Sequence, residues 1–151
     1  MILPDFKAFP RVGRIMGIDW GARRTGVAVT DASQEFFFAR PPIVVTRGME
    51  LATAVADLAQ ADGAVAIVVG VPHRLDGTPS DTTARVREFV DALSAKTDVP
   101  IFLIDETLSS FTAQADMGRV RVRDIKEKLD SNAARVILEN AVAMARRGGA
   151  S

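Results

Sequence analysis

The sequence predicts one α/β domain with a mixed β-sheet and helices on its faces. Short apolar runs of buried-strand length alternate with segments in which apolar residues recur at helical spacing. The first predicted strands are close enough in sequence to form antiparallel hairpins, whereas helices separate the later ones, as they separate parallel strands. We therefore expect antiparallel strands first and parallel strands after them, in a single sheet.

Length and composition exclude several classes of protein. The chain has 151 residues, the size of one domain, and 48% of them are hydrophobic, as in globular proteins. The absence of cysteine excludes disulfides, thiol catalysis and cysteine-ligated metals, and it fits a reducing cytoplasm. No apolar run reaches the length of a membrane span. Lys+Arg and Asp+Glu both number 19, so a strongly basic nucleic-acid-coating protein is excluded, but a local basic patch is not.

Three strands are predicted in the N-terminal part. The first covers residues 14–19, and the second, at 26–29, forms a hairpin with it through the turn at 20–24. A third strand lies within 36–45, where the pair Pro41-Pro42 restricts at least that part to a sheet edge or a turn.

Helices and buried strands alternate in the rest of the chain. In order, the predicted elements are a helix ending at Gly63, a central parallel strand at 64–69, a helix beginning near Thr78, a strand at 101–104, a helix at about 109–117 and a last helix after the basic stretch 118–128. Residues 1–13 are expected to form a short lead-in, ordered or flexible, and the polar tail 146–151 is expected to be flexible. The whole chain, 1–151, is thus interpreted as one domain.

Acidic residues follow the ends of two predicted strands and lie on the core-facing side of one helix. Asp19 ends the first strand, and Asp105 and Glu106 follow the last. The carboxyl ends of parallel strands form the ligand-binding edge of such sheets, so these carboxylates are expected to converge. Asp130 lies on the apolar stripe of the final helix, three and four residues before two alanines that let the helix approach the sheet closely.

Three converging carboxylates repel one another unless a cation lies between them. Oxygen ligands without histidine or cysteine select Mg²⁺ or Mn²⁺. Two such ions, about 4 Å apart, can activate water and stabilise the leaving oxygen in phosphodiester hydrolysis. Taken singly, each acidic residue also fits a structural role, as a turn residue or as a residue favoured in the first turn of a helix.

Basic side chains close to the same edge are candidates for binding substrate phosphates. They are Arg23, Arg24, His73, Arg74, Arg119, Arg121 and Arg123. The stretch 118–128 holds five basic and two acidic residues, although a solvated charged face explains such a run equally well. The run Phe36-Phe37-Phe38 favours core packing or a contact between subunits over base stacking.

Four sequence blocks, in order and spanning most of residues 17–138, resemble the YqgF family of Holliday-junction-resolvase-like nucleases. They are Gly17-Ile18-Asp19-Trp20-Gly21 with Arg24 to Asp31, Val69-Gly70-Val71-Pro72 with Asp76-Gly77-Thr78, Asp105 to Ser110, and Leu129 to Ala134. The resemblance implies an RNase H-like fold with a five-stranded mixed sheet flanked by helices. It also implies a catalytic, metal-binding carboxylate set of Asp19, Glu106 and Asp130.

The resemblance further implies a cytoplasmic, Mg²⁺- or Mn²⁺-dependent nuclease that processes the 5′ end of the small-subunit ribosomal RNA precursor. A Holliday junction resolvase acting on branched DNA is the alternative within the family, and the chain is expected to be a monomer or a homodimer. Thr107 stands where the family typically has arginine. That departure motivates a second hypothesis, a nucleic-acid-binding domain with little catalysis. An actin-like nucleotide-binding domain is a third, which the short chain disfavours.

Overall fold

A computed structural model of the chain describes residues 2–3, 8–21, 23–46, 50–71, 81–105 and 122–146. In chain order, its elements are β1 (Ile2–Leu3), β2 (Ile15–Asp19), β3 (Arg24–Thr30), β4 (Phe37–Val44), α1 (Leu51–Asp62), β5 (Ala66–Val71), α2 (Asp81–Lys96), β6 (Ile101–Asp105) and α3 (Val122–Arg146). The predicted helix at 109–117 and the predicted helix start near Thr78 lie outside the described residues. None of the helices in the described ranges has the length and apolar character needed to cross a bilayer.

The strands form one mixed sheet in the order β1-β6-β5-β2-β3-β4. β2, β3 and β4 are antiparallel neighbours, whereas β2, β5 and β6 are parallel. The predicted five-stranded mixed α/β sheet is therefore confirmed. A sixth strand, the two-residue β1, is added beside β6 from the lead-in. Phe9, also in the lead-in, is buried and packs edge to face on Phe102, with ring centroids 5.0 Å apart.

β4 is the edge strand that the proline pair predicts. The strand continues through Pro41 and Pro42, but its pairing with β3 shifts there: Thr25 lies opposite Ile43 and Val27 opposite Arg40. Two residues of β4 thus oppose one residue of β3, which is a β-bulge. An edge strand tolerates two consecutive prolines because it has a neighbour on one side only. In a central strand, successive N–H groups bond to alternate sides, and a proline has no N–H to supply.

The helices cover the two faces of the sheet and bury a separate core on each. On one face, Met16 and Ile18 of β2 pack with buried residues of α1 and α2. On the other, Ile15 packs with the apolar stripe of α3. Side chains of a strand alternate between faces, so odd-numbered positions of β2, including Asp19, belong to the α3 face.

α3 is longer than its apolar stripe predicts. The helix begins at Val122, inside the basic stretch that the sequence analysis placed before it. Its last residue, Arg146, donates a hydrogen bond from Nη2 to the backbone oxygen of Gln34 at 2.8 Å. Gln34 is buried, and its Nε2 donates to the carbonyls of Pro10 and Gly13, each at 3.0 Å. The carboxyl end of α3 therefore lies near the residues that precede β2, and the helix runs opposite to that strand.

Candidate active site at the carboxyl end of β2

Asp19 lies at the carboxyl end of β2 between two glycines. Its Cα partners are Gly26 on β3 and Gly70 on β5. Neither neighbour carries a side chain, so the sheet leaves space on both sides of the carboxylate. The residue is half-buried, and its Oδ1 atom is shielded from solvent. A carboxylate held partly buried at an open edge of a sheet is suited to binding a cation.

β6 brings the second acidic pair to the same edge of the sheet. Its residue Ile104 is the partner of Gly70, so β6 ends one residue beyond the level of Asp19. Asp105 is the last residue of β6, and the structure describes its backbone but not its side chain. Glu106 lies outside the described residues.

α3 crosses β2 at very close range, and the contact point is Gly17. A Cβ atom built on Gly17 would lie 2.5 Å from Cγ of Leu138 and 2.8 Å from the backbone oxygen of Ala134. Only a residue without a side chain allows this approach. The sequence predicted the close approach from the alanines of α3 but missed Gly17, although a glycine inside an apolar strand can signal such an approach of another backbone.

Asp130 lies one helical turn before Ala134 in α3, and its side chain is outside the description. Four helical residues rise about 6 Å, and two strand residues rise about 6.6 Å. Since α3 and β2 run in opposite directions from the contact at Gly17, the backbone of Asp130 lies at about the level of Asp19.

The hairpin turn after Asp19 carries two of the predicted phosphate-binding residues. Arg23 is exposed and Arg24, the first residue of β3, is half-buried. The turn is tight, because a Cβ on Gly21 would lie 2.0 Å from the carbonyl oxygen of Arg24. The buried Thr25 holds the turn, since its Oγ1 accepts from the Gly21 N–H and donates to the Gly21 carbonyl, both at 3.4 Å. Both arginines therefore lie at the same edge of the sheet as Asp19.

The other predicted substrate-binding residues are not positioned. His73, Arg74, Arg119 and Arg121 fall outside the described residues, and Arg123 belongs to the first turn of α3 without a described side chain. Among the side chains that are described, no group of three acidic or histidine residues could hold a metal ion. Of the predicted carboxylate set, Asp19 is among these described side chains, and Glu106 and Asp130 are not.

Comparisons with known proteins agree on one family. A family model described as "RuvX: Holliday junction resolvase" matches residues 13–144. A protein of Maridesulfovibrio salexigens named "Putative pre-16S rRNA nuclease" is 35% identical over 134 residues, which cover 87% of this chain and 99% of that protein. A protein of the same name from Nitratidesulfovibrio vulgaris is 36% identical over 133 residues, covering 87% of this chain and 94% of that protein.

Solved structures share the fold at low sequence identity. Thermus thermophilus RuvC, in a complex with a Holliday junction substrate, superposes with a TM-score of 0.58 at 12% identity. The match covers 90% of this chain and 97% of that one. A second structure of RuvC from the same organism gives a TM-score of 0.56. These matches confirm the RNase H-like architecture.

Proposed function

Because this chain belongs to the RuvX family and is thus a nuclease, a hydrolase acting on phosphodiester bonds, we propose that it processes the precursor of the small-subunit ribosomal RNA at its 5′ end. The single observation that carries the site is the position of Asp19, a half-buried carboxylate between two glycines at the edge where β5 and β6 also end. We propose Asp19, Glu106 and Asp130 as the catalytic set.

The alternation of β6 supports Glu106, rather than Asp105, as the second member of the set. Phe102 and Ile104 pack on the α3 face of the sheet, whereas Ile101 packs on the opposite face. This alternation assigns position 105 to the face opposite Asp19. In the sequence, Glu106 has the same parity as Phe102 and Ile104, and Asp105 has the opposite one.

The close contact at Gly17 supports Asp130 as the third member. The helix cannot lie farther from β2 without losing the packing of Ala134 and Leu138 on that strand. One turn before that contact, Asp130 is thus on the part of α3 that passes the end of β2. A helix and a strand would each contribute a carboxylate to one edge of the sheet.

These residues fit a divalent cation, and resolvase-type nucleases depend on divalent metal in general. The proposed ligands are oxygen atoms, and the chain has no cysteine and one histidine, so we propose Mg²⁺ or Mn²⁺. Such an ion supplies the Lewis acidity for attack of water on the phosphodiester. Arg23 and Arg24, held at this edge by the tight turn, bind and orient the phosphates of the nucleic acid.

We propose that His73, Arg74, Arg119, Arg121 and Arg123 contact substrate as well, and that the whole chain is one nuclease domain that works in the cytoplasm. A second candidate function, cleavage of four-way DNA junctions, is favoured by the description of the matching family model. Nucleic acid is the binding partner in both cases; structured RNA and branched DNA distinguish them.

The test compares cleavage by the unaltered chain, Asp19→Asn and Asp57→Asn, with Mn²⁺ and with Mg²⁺. Asp57 is exposed on α1 and is the matched control. The substrates are an RNA that carries the precursor 5′ extension and a four-way DNA junction. We expect the RNA to be cut by the unaltered chain and the control, and Asp19→Asn to lose at least about 100-fold in rate.

Three results would contradict the proposal in different ways. Cleavage of the junction alone would favour the resolvase function. Cleavage that persists in Asp19→Asn would place the chemistry elsewhere or in a contaminant. Tight binding of RNA without metal and without product would favour the weakly catalytic binding domain suggested by Thr107.

A further inference from the structure

The open edge of β4 is an apolar surface that the nuclease site does not use. β4 is the last strand in the sheet order, and within the described ranges no strand pairs with its outer side. Phe36 and Phe38 are 62% and 52% exposed. They lie at the end of β4 far from Asp19. Phe38 pairs with Val29, and Val29 pairs with Met16, which is three residues before Asp19 in β2.

The hydrogen bonds at the hairpin between β3 and β4 fix which backbone groups of β4 face outward. Asp31 donates its N–H to the carbonyl of Phe36 at 3.2 Å, and the Phe36 N–H binds Oδ1 of Asp31 at 3.0 Å. Phe36 is thus turned towards β3. Residues of an antiparallel pair alternate between hydrogen-bonded and non-bonded positions. The backbone N–H and C=O groups of Phe38 therefore also point towards β3, whereas those of Phe37 and Ala39 point to the open edge.

This outward-facing segment is short and bounded on both sides. Phe36 ends it on one side, because its own backbone groups are used within the hairpin. Pro41 ends it on the other, because it has no N–H and lies at the bulge. Proline at a sheet edge limits open-ended pairing with other chains. What remains is a patch of two residues, one on each side of Phe38.

We propose that this edge pairs with the same edge of a second copy of the chain, antiparallel and about a two-fold axis at Phe38. Phe37 of each copy then exchanges two hydrogen bonds with Ala39 of the other, which satisfies all four outward groups in each patch. The patch is self-complementary because its two residues are symmetric about Phe38, as a two-fold interface requires.

The side chains also suit a second copy. Phe38 meets its own counterpart across the axis, and Phe36 lies opposite Arg40 of the other copy, where a guanidinium attracts an aromatic ring. The charge of Arg40 is balanced within each copy by Asp62, whose Oδ1 lies 2.5 Å from Nη2 of Arg40, so the two edges do not repel each other. With roughly 200 Å² per ring, the four exposed phenylalanines would bury at most about 450 Å². This contribution of the rings is well below the roughly 1,200–2,000 Å² that stable interfaces bury, so the dimer is weak and depends on concentration.

The axis runs perpendicular to the sheet and therefore leaves both Asp19 side chains on the same face. At about 4.8 Å between strands and 3.3 Å per residue, the two carboxylates lie roughly 30 Å apart. A dimer of this form offers two cutting sites to one branched or folded nucleic acid. That consequence rests on the proposed function, whereas the dimer itself does not.

A single engineered cysteine tests the register directly, because the chain has no cysteine of its own. In the proposed pairing, residue 38 faces its counterpart at a non-bonded position, with Cα atoms about 4.5 Å apart, within the range that a disulfide spans. We expect Phe38→Cys to form a covalent dimer under mild oxidation. Val12→Cys, at a residue that is 77% exposed and outside the patch, is the control and is expected to stay monomeric. A monomeric Phe38→Cys, or equal crosslinking of both variants, would overturn the proposal.

Sedimentation equilibrium on the full chain measures the dimer without crosslinking. Ala39→Pro removes an outward N–H that β3 does not use, and Phe38→Lys sets two like charges against each other. We expect both to raise the dimer dissociation constant by at least about tenfold, with circular dichroism unchanged. An unaltered chain that stays monomeric up to about 1 mM, or a dimer that persists in both variants, refutes the inference, and neither result bears on nuclease activity.

Discussion

Replacing Gly17 with alanine tests whether the close approach of α3 to β2 holds the proposed carboxylates together. The new Cβ atom would lie 2.5 Å from Cγ of Leu138 and 2.8 Å from the Ala134 carbonyl oxygen, whereas carbon atoms in ordinary contact are about 3.5–4.0 Å apart. Leu138 can rotate, but the backbone of Ala134 cannot, so α3 must move outward by roughly 1 Å. Overpacking of this kind costs about 1–3 kcal/mol.

The shift acts on the site because Asp130 is on the same helix, one turn from the contact. We expect Gly17→Ala to melt at a temperature several degrees lower, at about 2–4 °C per kcal/mol for a domain of this size. We also expect weaker Mn²⁺ binding in calorimetry and a cleavage rate reduced by up to about 100-fold, although no proposed ligand is removed.

Gly63→Ala is the matched control. Gly63 caps α1 with φ 68°, so alanine there costs about 1–2 kcal/mol of backbone strain. A Cβ at that position would meet nothing within 4 Å. Comparable destabilisation with unchanged metal affinity and rate is expected. If Gly17→Ala keeps the Mn²⁺ affinity and rate of the unaltered chain, or is equally stable, the link between this contact and the site is wrong.

Two further predictions concern the loop between β3 and β4. The Ser33 hydroxyl, followed by the backbone N–H groups of the loop, lowers the pKa of Asp31 from 3.8 to about 2. The ionised carboxylate therefore stabilises the fold fully above pH 3.8, and this contribution is lost as the pH falls through about 2. In urea denaturation at several pH values, we expect the free energy of unfolding of Asp31→Asn to depend less on pH than that of the unaltered chain. An equal pH dependence of the two proteins would contradict the assignment. Gln34→Leu removes the donor to the carbonyls of Pro10 and Gly13, so we expect a loss of about 1–3 kcal/mol in thermal unfolding, with the exposed Gln60→Leu as an unaffected control. Equal stability of the two glutamine variants would show that this junction contributes nothing.

The strands could be predicted because their apolar runs have a physical cause that is local. A run buried on both faces, such as Ala66–Val71, must be covered by helices, and Gly63 ends a helix by adopting a left-handed conformation. The proline pair restricted β4 to an edge for an equally local reason. The predicted start of α3 was wrong because residues 122–128 were read as part of a basic stretch, although Val122, Ile125 and Leu129 follow helical spacing and continue into the helix.

The site was predicted only in part. Asp19 could be found because a polar residue follows an apolar run, and the structure sets it between two glycines. The roles of Glu106 and Asp130 remain predictions, since the structure describes neither side chain. Gly17 was missed because its importance depends on Ala134 and Leu138, which are more than a hundred positions away along the chain.

By itself, the sequence determined the class of sheet, the order of its elements and the acidic residues at its edge, because hydrophobic periodicity and residue chemistry are written position by position. Tertiary structure alone decided that α3 touches β2 at Gly17 and that Gln34 joins the lead-in to the end of α3. It also decided that the backbone N–H and C=O groups of Phe37 and Ala39 point outward from the last strand. These features depend on register and on packing between distant segments, which no local pattern encodes.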